Sequence, residues 1–143
     1  MNGSSDNFGP VTTALPVDRY DAAPPLILLV EDNEDNVTTV ADYLEFKGMR
    51  VAVARTGHEA LAFCRTATPA LILMDIQMPG MSGLEAIQVL RQKADTATTP
   101  IIAVTALAMP GDRNRCLLAG ANDYLSKPLH LRGLLETIMH YLQ

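Results

Sequence analysis

Glu31 and Asp32 follow the apolar run "LILLV", Asp75 ends "LILM", Thr105 ends "IIAV", and Lys127 follows "DYLS". Three carboxylates, a hydroxyl and an ammonium thus stand at the ends of apolar segments, and carboxylates gathered in this way are what an oxygen-rich cation site uses. A charge at the tip of a buried strand is costly unless something compensates it. If the first and third runs are neighbouring strands, their ends lie about 4.8 Å apart, so Glu31, Asp32 and Asp75 crowd into one small pocket. Like charges at that range disfavour ionisation of all three unless a cation offsets them. Lys127 supplies one cation from the chain, and a hard divalent ion, Mg2+ above all with Mn2+ as a substitute, suits the oxygen donors. Taken singly, each residue has an ordinary role. Strand-end acids cap helices, as Asn33 or Asp35 would here, Thr105 finishes a strand, and Lys127 is a surface lysine. Their coincidence at one edge carries the functional expectation.

The elements that must position these groups are short apolar runs at 26–30, 51–53, 71–74, 101–104 and, more weakly, 123–126. Helical spacing separates them. Val37, Val40, Ala41 and Leu44 share a face before Gly48. Ala60, Leu61 and Cys64 share another after Gly57. Leu84, Ile87 and Leu90 or Arg91 mark a third helix, Leu117 and Leu118 before Gly120 a fourth, and Leu131, Leu134, Leu135, Ile138 and Leu142 a fifth. Strands that read as continuous aliphatic runs are buried on both faces, as in a parallel sheet covered by helices on two sides. Ligands of such sheets bind outside the C-terminal strand ends, where the suggestive residues fall. A TIM barrel needs about 250 residues and is excluded by length.

The chain has 143 residues, enough for one core, with 48% hydrophobic and 19% charged residues, which fits a soluble globular domain. No apolar stretch reaches the roughly 20 residues of a membrane span. Residues 1–25 carry four prolines and little apolar periodicity and are expected to form a flexible extension, with the folded domain at 26–143. They lack the pattern of a secretory signal, so a cytoplasmic location is expected. A net charge of −5 without a basic cluster argues against direct nucleic-acid binding. Cys64 and Cys116 are unpaired in pattern and are expected as reduced thiols, and His58, His130 and His140 as surface residues.

The acidic pair Glu31-Asp32, "MDIQMPGMSG" around Asp75, "VTA" at 104–106 and "DYLSKP" at 123–128, in that order, resemble the response-regulator receiver domain of two-component signalling from about Leu26 to Leu142. The resemblance implies an α/β, flavodoxin-like (βα)5 fold with strand order 2-1-3-4-5, and phosphoryl transfer from a histidine kinase or histidine phosphotransfer protein to Asp75. By similarity, Asp32 and Asp75 would bind Mg2+ directly, Glu31 largely through water, and the backbone carbonyl of Gln77 would complete the set. Thr105 and Lys127 would each hold a phosphoryl oxygen, and small Ala106 would leave the group accessible. Pro79 and Gly83 would shape the loop after Asp75, and the Lys127-Pro128 bond resembles the family's cis peptide. Thr105 and Tyr124 would form a switch that changes the surface of the fourth helix, fifth strand and fifth helix for a downstream effector.

Gln77 and Leu107 occupy positions that tune acyl-phosphate hydrolysis in the family, and a Leu107 that shields the site would lengthen its lifetime. Glu31, where many members have Asp, changes reach and not charge. The protein would be no enzyme beyond its own phosphorylation and autodephosphorylation. An aspartyl-nucleophile phosphatase wants a second carboxylate two positions after Asp75, where Gln77 stands. Nucleotide binding lacks a glycine-rich loop after the first strand. A non-phosphorylated pseudo-receiver would normally lack the acceptor, an acid or the lysine. No output domain follows Leu142, so a stand-alone receiver or the C-terminal receiver of a hybrid kinase is expected. A phosphorylation-dependent dimer through the last two helices is a further expectation by analogy.

Overall fold

The computed structural model describes residues 23–106 and 109–143. Most of the expected extension, residues 1–22, lies outside the described residues, as does Leu107. Strands and helices alternate throughout: β1 (Leu26–Val30), α1 (Glu34–Phe46), β2 (Arg50–Ala54), α2 (Gly57–Thr66), β3 (Leu71–Asp75), α3 (Gly83–Gln92), β4 (Ile101–Thr105), α4 (Asp112–Ala119), β5 (Asp123–Ser126) and α5 (Leu131–Leu142). The strands form one parallel sheet in the order β2-β1-β3-β4-β5. This is the fold expected from the sequence.

Successive strand residues point to opposite faces, and both faces are apolar. Leu28, Val30, Ile72, Met74, Ile101 and Ala103 pack against residues of α2, α3 and α4, such as Leu61, Ile87 and Cys116. Ile27, Leu29, Leu71, Leu73 and Ile102 pack against Val37, Val40 and Leu44 of α1 and Leu134 and Ile138 of α5. The central strands β3 and β4 are buried along their whole length. The two edge strands are not: Val53 of β2 is 37% exposed and no residue of β5 is fully buried. The uniform burial expected of the apolar run in β2 therefore fails, because an edge strand has a neighbour on one side only.

Helix α4 supplies a second correction. Leu118 was expected on its inner face, yet it is 87% exposed, while Cys116, Ala119 and Asp112 face inward. Positions 112, 116 and 119 share a helical face that excludes 118. Cys64 and Cys116 are buried free thiols, and burial pushes the pKa of both upward.

Helix starts are fixed close behind the strand ends. The Asn33 side chain accepts from Asn36 N and caps α1, Thr56 caps α2, and Ser82 with Glu85 forms a capping box on α3. These caps hold the loops over the sheet's C-terminal edge, where the site lies.

At the opposite edge, the third helix ends with Leu90 in the core and Arg91 turned across the strand starts. The Arg91 guanidinium donates to the carbonyls of Gly120, Thr96 and Thr99 and to Asn122 Oδ1, at 2.7–2.9 Å. Asn122 Oδ1 also accepts from Ile101 N. Arg91→Ala is expected to destabilise the fold by about 2–3 kcal/mol, because it strands these acceptors in a partly buried site. Arg91→Lys should recover less than half of that, since one ammonium cannot span the fork of acceptors. Urea denaturation of the two variants measures both, and full recovery by lysine would contradict the fork.

Candidate functional site

Register brings the acids together. Val30 lies beside Met74, so the next residues, Glu31 and Asp75, emerge side by side at the ends of β1 and β3. Asp75 is in turn beside Val104, and Thr105 beside Ser126, which places Thr105 and Lys127 one strand and two strands further along. Glu31, Asp32 and Asp75 each offer a carboxylate oxygen within 4.8 Å of the others. Glu31 and Asp75 are buried and Asp32 is exposed.

Lys127 reaches into this cluster. Its Nζ lies 2.9 Å from Glu31 Oε1 and 3.2 Å from Asp75 Oδ2. The remaining oxygens find backbone donors: Asn33 N donates to Glu31 Oε2 at 3.1 Å, and Gln77 N to Asp75 Oδ1 at 3.0 Å. Lys127 N donates to Thr105 O at 2.8 Å, which ties the end of β5 to the end of β4, and the Lys127-Pro128 peptide bond is cis. Thr105 is buried and Ala106 exposed. Tyr124 is half-buried and packs on the layer formed by α2, α3 and α4.

The turn after Asp75 depends on Gly83. Its N–H donates to Ile76 O at 3.0 Å, and a Cβ there would sit 2.4 Å from Asp75 O. Gly80, one residue after exposed Pro79, has φ +78°, a left-handed conformation that glycine adopts without strain.

Three carboxylates face one ammonium, so the cluster carries a net charge of −2 when all are ionised. Burial pushes the Asp75 carboxyl up to about 6; the Gln77 N–H opposes this, Glu31 adds to it, and Lys127 opposes it. Burial alone would lower the Lys127 pKa, but hydrogen bonding and attraction from Glu31 and Asp75 outweigh it and leave the ammonium raised. A deficit of positive charge among oxygen donors matches what a hard divalent ion supplies. The residues present fit such an ion.

The Asp75 shift carries a stability consequence in metal-free protein. Unfolded, this carboxyl titrates near 4, so between about pH 4 and 6 the folded chain holds a proton that the unfolded chain has released. Its contribution is therefore fully present below about pH 4 and is lost progressively as pH rises through about 6. Two units correspond to about 3 kcal/mol, and water entering the open cleft reduces this to about 1–2 kcal/mol. Denaturant unfolding in chelator at about pH 5 and about pH 7.5 checks the sign. Because pH 5 already lies midway between the two pKa values, wild type is expected to lose about half of that amount relative to Asp75→Asn on going to the higher pH; parallel pH profiles would contradict it.

The site also has features that no sequence motif announced. A cavity of about 490 Å³ runs from Glu31, Asp75 and Lys127 between α1 and the β5–α5 turn. Arg55, at the end of β2, pairs with Glu34 at the start of α1. Both arise from contacts between segments far apart in the chain. The three histidines are exposed and stand outside the cluster, as expected.

A five-stranded parallel sheet in this order, with acids and a lysine at its C-terminal edge, defines a CheY-like α/β domain. Residues 27–139 match the response regulator receiver domain, and the chain belongs to that family. The polar-differentiation response regulator DivK of Brucella anthropi is 43% identical over 119 residues, 83% of this chain and 97% of that protein. Among solved structures, the receiver domain of a Pseudomonas aeruginosa sensor histidine kinase, with a magnesium ion coordinated in its active-site cleft, is 38% identical with a TM-score of 0.78, covering 84% of this chain and 98% of that one. The chemotaxis protein CheY4 of Vibrio cholerae is 31% identical with a TM-score of 0.80, covering 84% and 100%. Among the described residues, no helix is long and apolar enough to cross a membrane.

Proposed function

We propose that this receiver domain accepts a phosphoryl group on Asp75 from a phosphohistidine donor, a histidine kinase or a histidine phosphotransfer protein, in a reaction that needs Mg2+. The observation that carries the reading is Asp75 itself: a buried carboxylate in contact with Lys127, flanked by Glu31 and Asp32, in the lining of an open cavity. Asp75 attacks phosphorus as the ionised carboxylate, which predominates at neutral pH with its pKa near 6. Lys127 and the Thr105 hydroxyl hold phosphoryl oxygens, and Ala106 leaves room for the donor. Asp32, Asp75 and the Gln77 carbonyl would hold the ion directly and Glu31 would hold it through water. When bound, Mg2+ or its substitute Mn2+ would supply positive charge to the phosphoryl oxygens of a loose transition state.

Incubating the chain with acetyl phosphate and Mg2+ tests the reading by intact mass. A gain of one phosphoryl group supports it, and no gain favours a pseudo-receiver that works only by docking. The magnesium-bound Pseudomonas relative and the DivK relatives support a signalling role, and in this reading the protein acts in the cytoplasm on a downstream effector.

Tyr124 is the switch in this reading. The phosphoryl group draws Thr105 toward the site, and Tyr124 turns into the vacated space, changing the surface of α4, β5 and α5. Crystals with and without beryllofluoride are expected to show different Tyr124 rotamers, and the same ring position in both would reject the switch.

A further inference from the structure

The cavity beside Asp75 is larger than phosphoryl transfer needs. At about 30 Å³ per water, a phosphoryl group with an ion and its waters leaves roughly half of the 490 Å³ unfilled. Glu31, Asp75 and Lys127 line one part of it, and most of the remaining lining is apolar, including Leu29, Val40, Leu73, Leu129 and Leu131. Asn36, Thr39 and Pro128 form a rim between α1 and the β5–α5 turn, with Thr39 and Pro128 exposed. An apolar recess beside a cation-binding cluster suits a small ligand with a phosphoryl head and a short hydrocarbon tail. A bare anion would be repelled by the acids, so the head must arrive with a divalent ion.

We propose that this recess makes the site selective among small phosphodonors, favouring acyl phosphates with a short apolar chain, such as butyryl phosphate, over acetyl phosphate. The proposal rests on Asp75 being the phosphoryl acceptor. In the reaction an Asp75 carboxylate oxygen forms a bond to phosphorus, and the bond from phosphorus to the acyl oxygen breaks. The electron pair leaves with the acyl group as a free carboxylate, so no proton transfer or co-reactant is needed. In-line displacement directs the leaving group away from Asp75, toward the rim, from which a chain of a few carbons lies along the apolar wall. Acetyl phosphate has the same reacting atoms and too short a chain to reach it.

The test is the ratio of second-order phosphorylation rates with butyryl and acetyl phosphate, followed by intact mass on the full chain with saturating Mg2+. The two donors have closely similar leaving groups, so the ratio reports binding of the chain. Wild type is expected to prefer butyryl phosphate about five- to tenfold, below the roughly fifteenfold ceiling for fully burying two methylenes. Thr39→Phe, at an exposed position that the fold tolerates, should block the rim and bring the ratio to about one. Asn36→Leu should raise it, giving a second reading that does not depend on blocking. A wild-type ratio of one or below, or one that neither variant moves, overturns the recess as a donor pocket while leaving Asp75 as the acceptor. No mass gain from either donor overturns the acceptor role and this proposal with it.

Discussion

Asp75→Asn is expected to abolish the phosphoryl mass gain from acetyl phosphate altogether, the largest effect of any single change in this protein. The amide has no anionic oxygen to attack phosphorus, and it removes one of the three carboxylates that would hold the ion. It nearly preserves shape, so Lys127 keeps Glu31 as its partner at 2.9 Å and the fold should survive. Retained cooperative unfolding in the variant separates lost chemistry from lost structure. Lys127→Ala is the graded comparison. It leaves the nucleophile but removes one fixed donor to the developing charge, and should slow phosphorylation by about 10²–10³-fold without abolishing it. Rates from intact mass over time decide both, and residual labelling of Asp75→Asn at the wild-type rate would place the acceptor elsewhere.

Gly83→Ala should have the largest effect on stability. The new methyl would meet Asp75 O at 2.4 Å and Ile76 Cα at 2.7 Å, both backbone atoms that no rotamer change can move aside. Relief requires α3 to back away from β3 or the turn to deform, so a loss of about 3 kcal/mol is expected, at the upper end for overpacking. The same movement displaces Asp75 from Lys127, and phosphorylation should slow in the protein that remains folded. Gly133→Ala is the contrast: within α5 its methyl would meet only His130 Cβ at 4.0 Å, so helix propensity should stabilise the chain by about 0.5–1 kcal/mol. Chemical denaturation of both variants tests the pair, and equal effects would show that contact geometry is not what distinguishes the two sites.

The sequence by itself determined which residues stand at strand tips and, outside α4, which helix faces turn inward. An apolar run that stops at Asp75, and acids that begin where "LILLV" ends, are local facts of the chain, and so is the spacing of Val37, Val40 and Leu44 that the structure buries in α1. Local pattern failed where burial depends on what lies alongside. Val53 reads like a core valine and is half-open on an edge strand, and Leu118 reads like a core leucine and faces out because Cys116 and Ala119 already fill the inner face of α4. Nothing in the periodicity of five similar runs ranks them across a sheet; their order was implied by the family resemblance. Only the tertiary structure set β1 against β3, so that Glu31 lies beside Asp75, and carried Lys127 to Asp75 from 52 residues away. The recess between α1 and the β5–α5 turn has no sequence signature at all, since its walls come from five separate segments. Side-chain period is set within a few residues, whereas strand pairing and cavity shape are set by which distant surfaces close on one another.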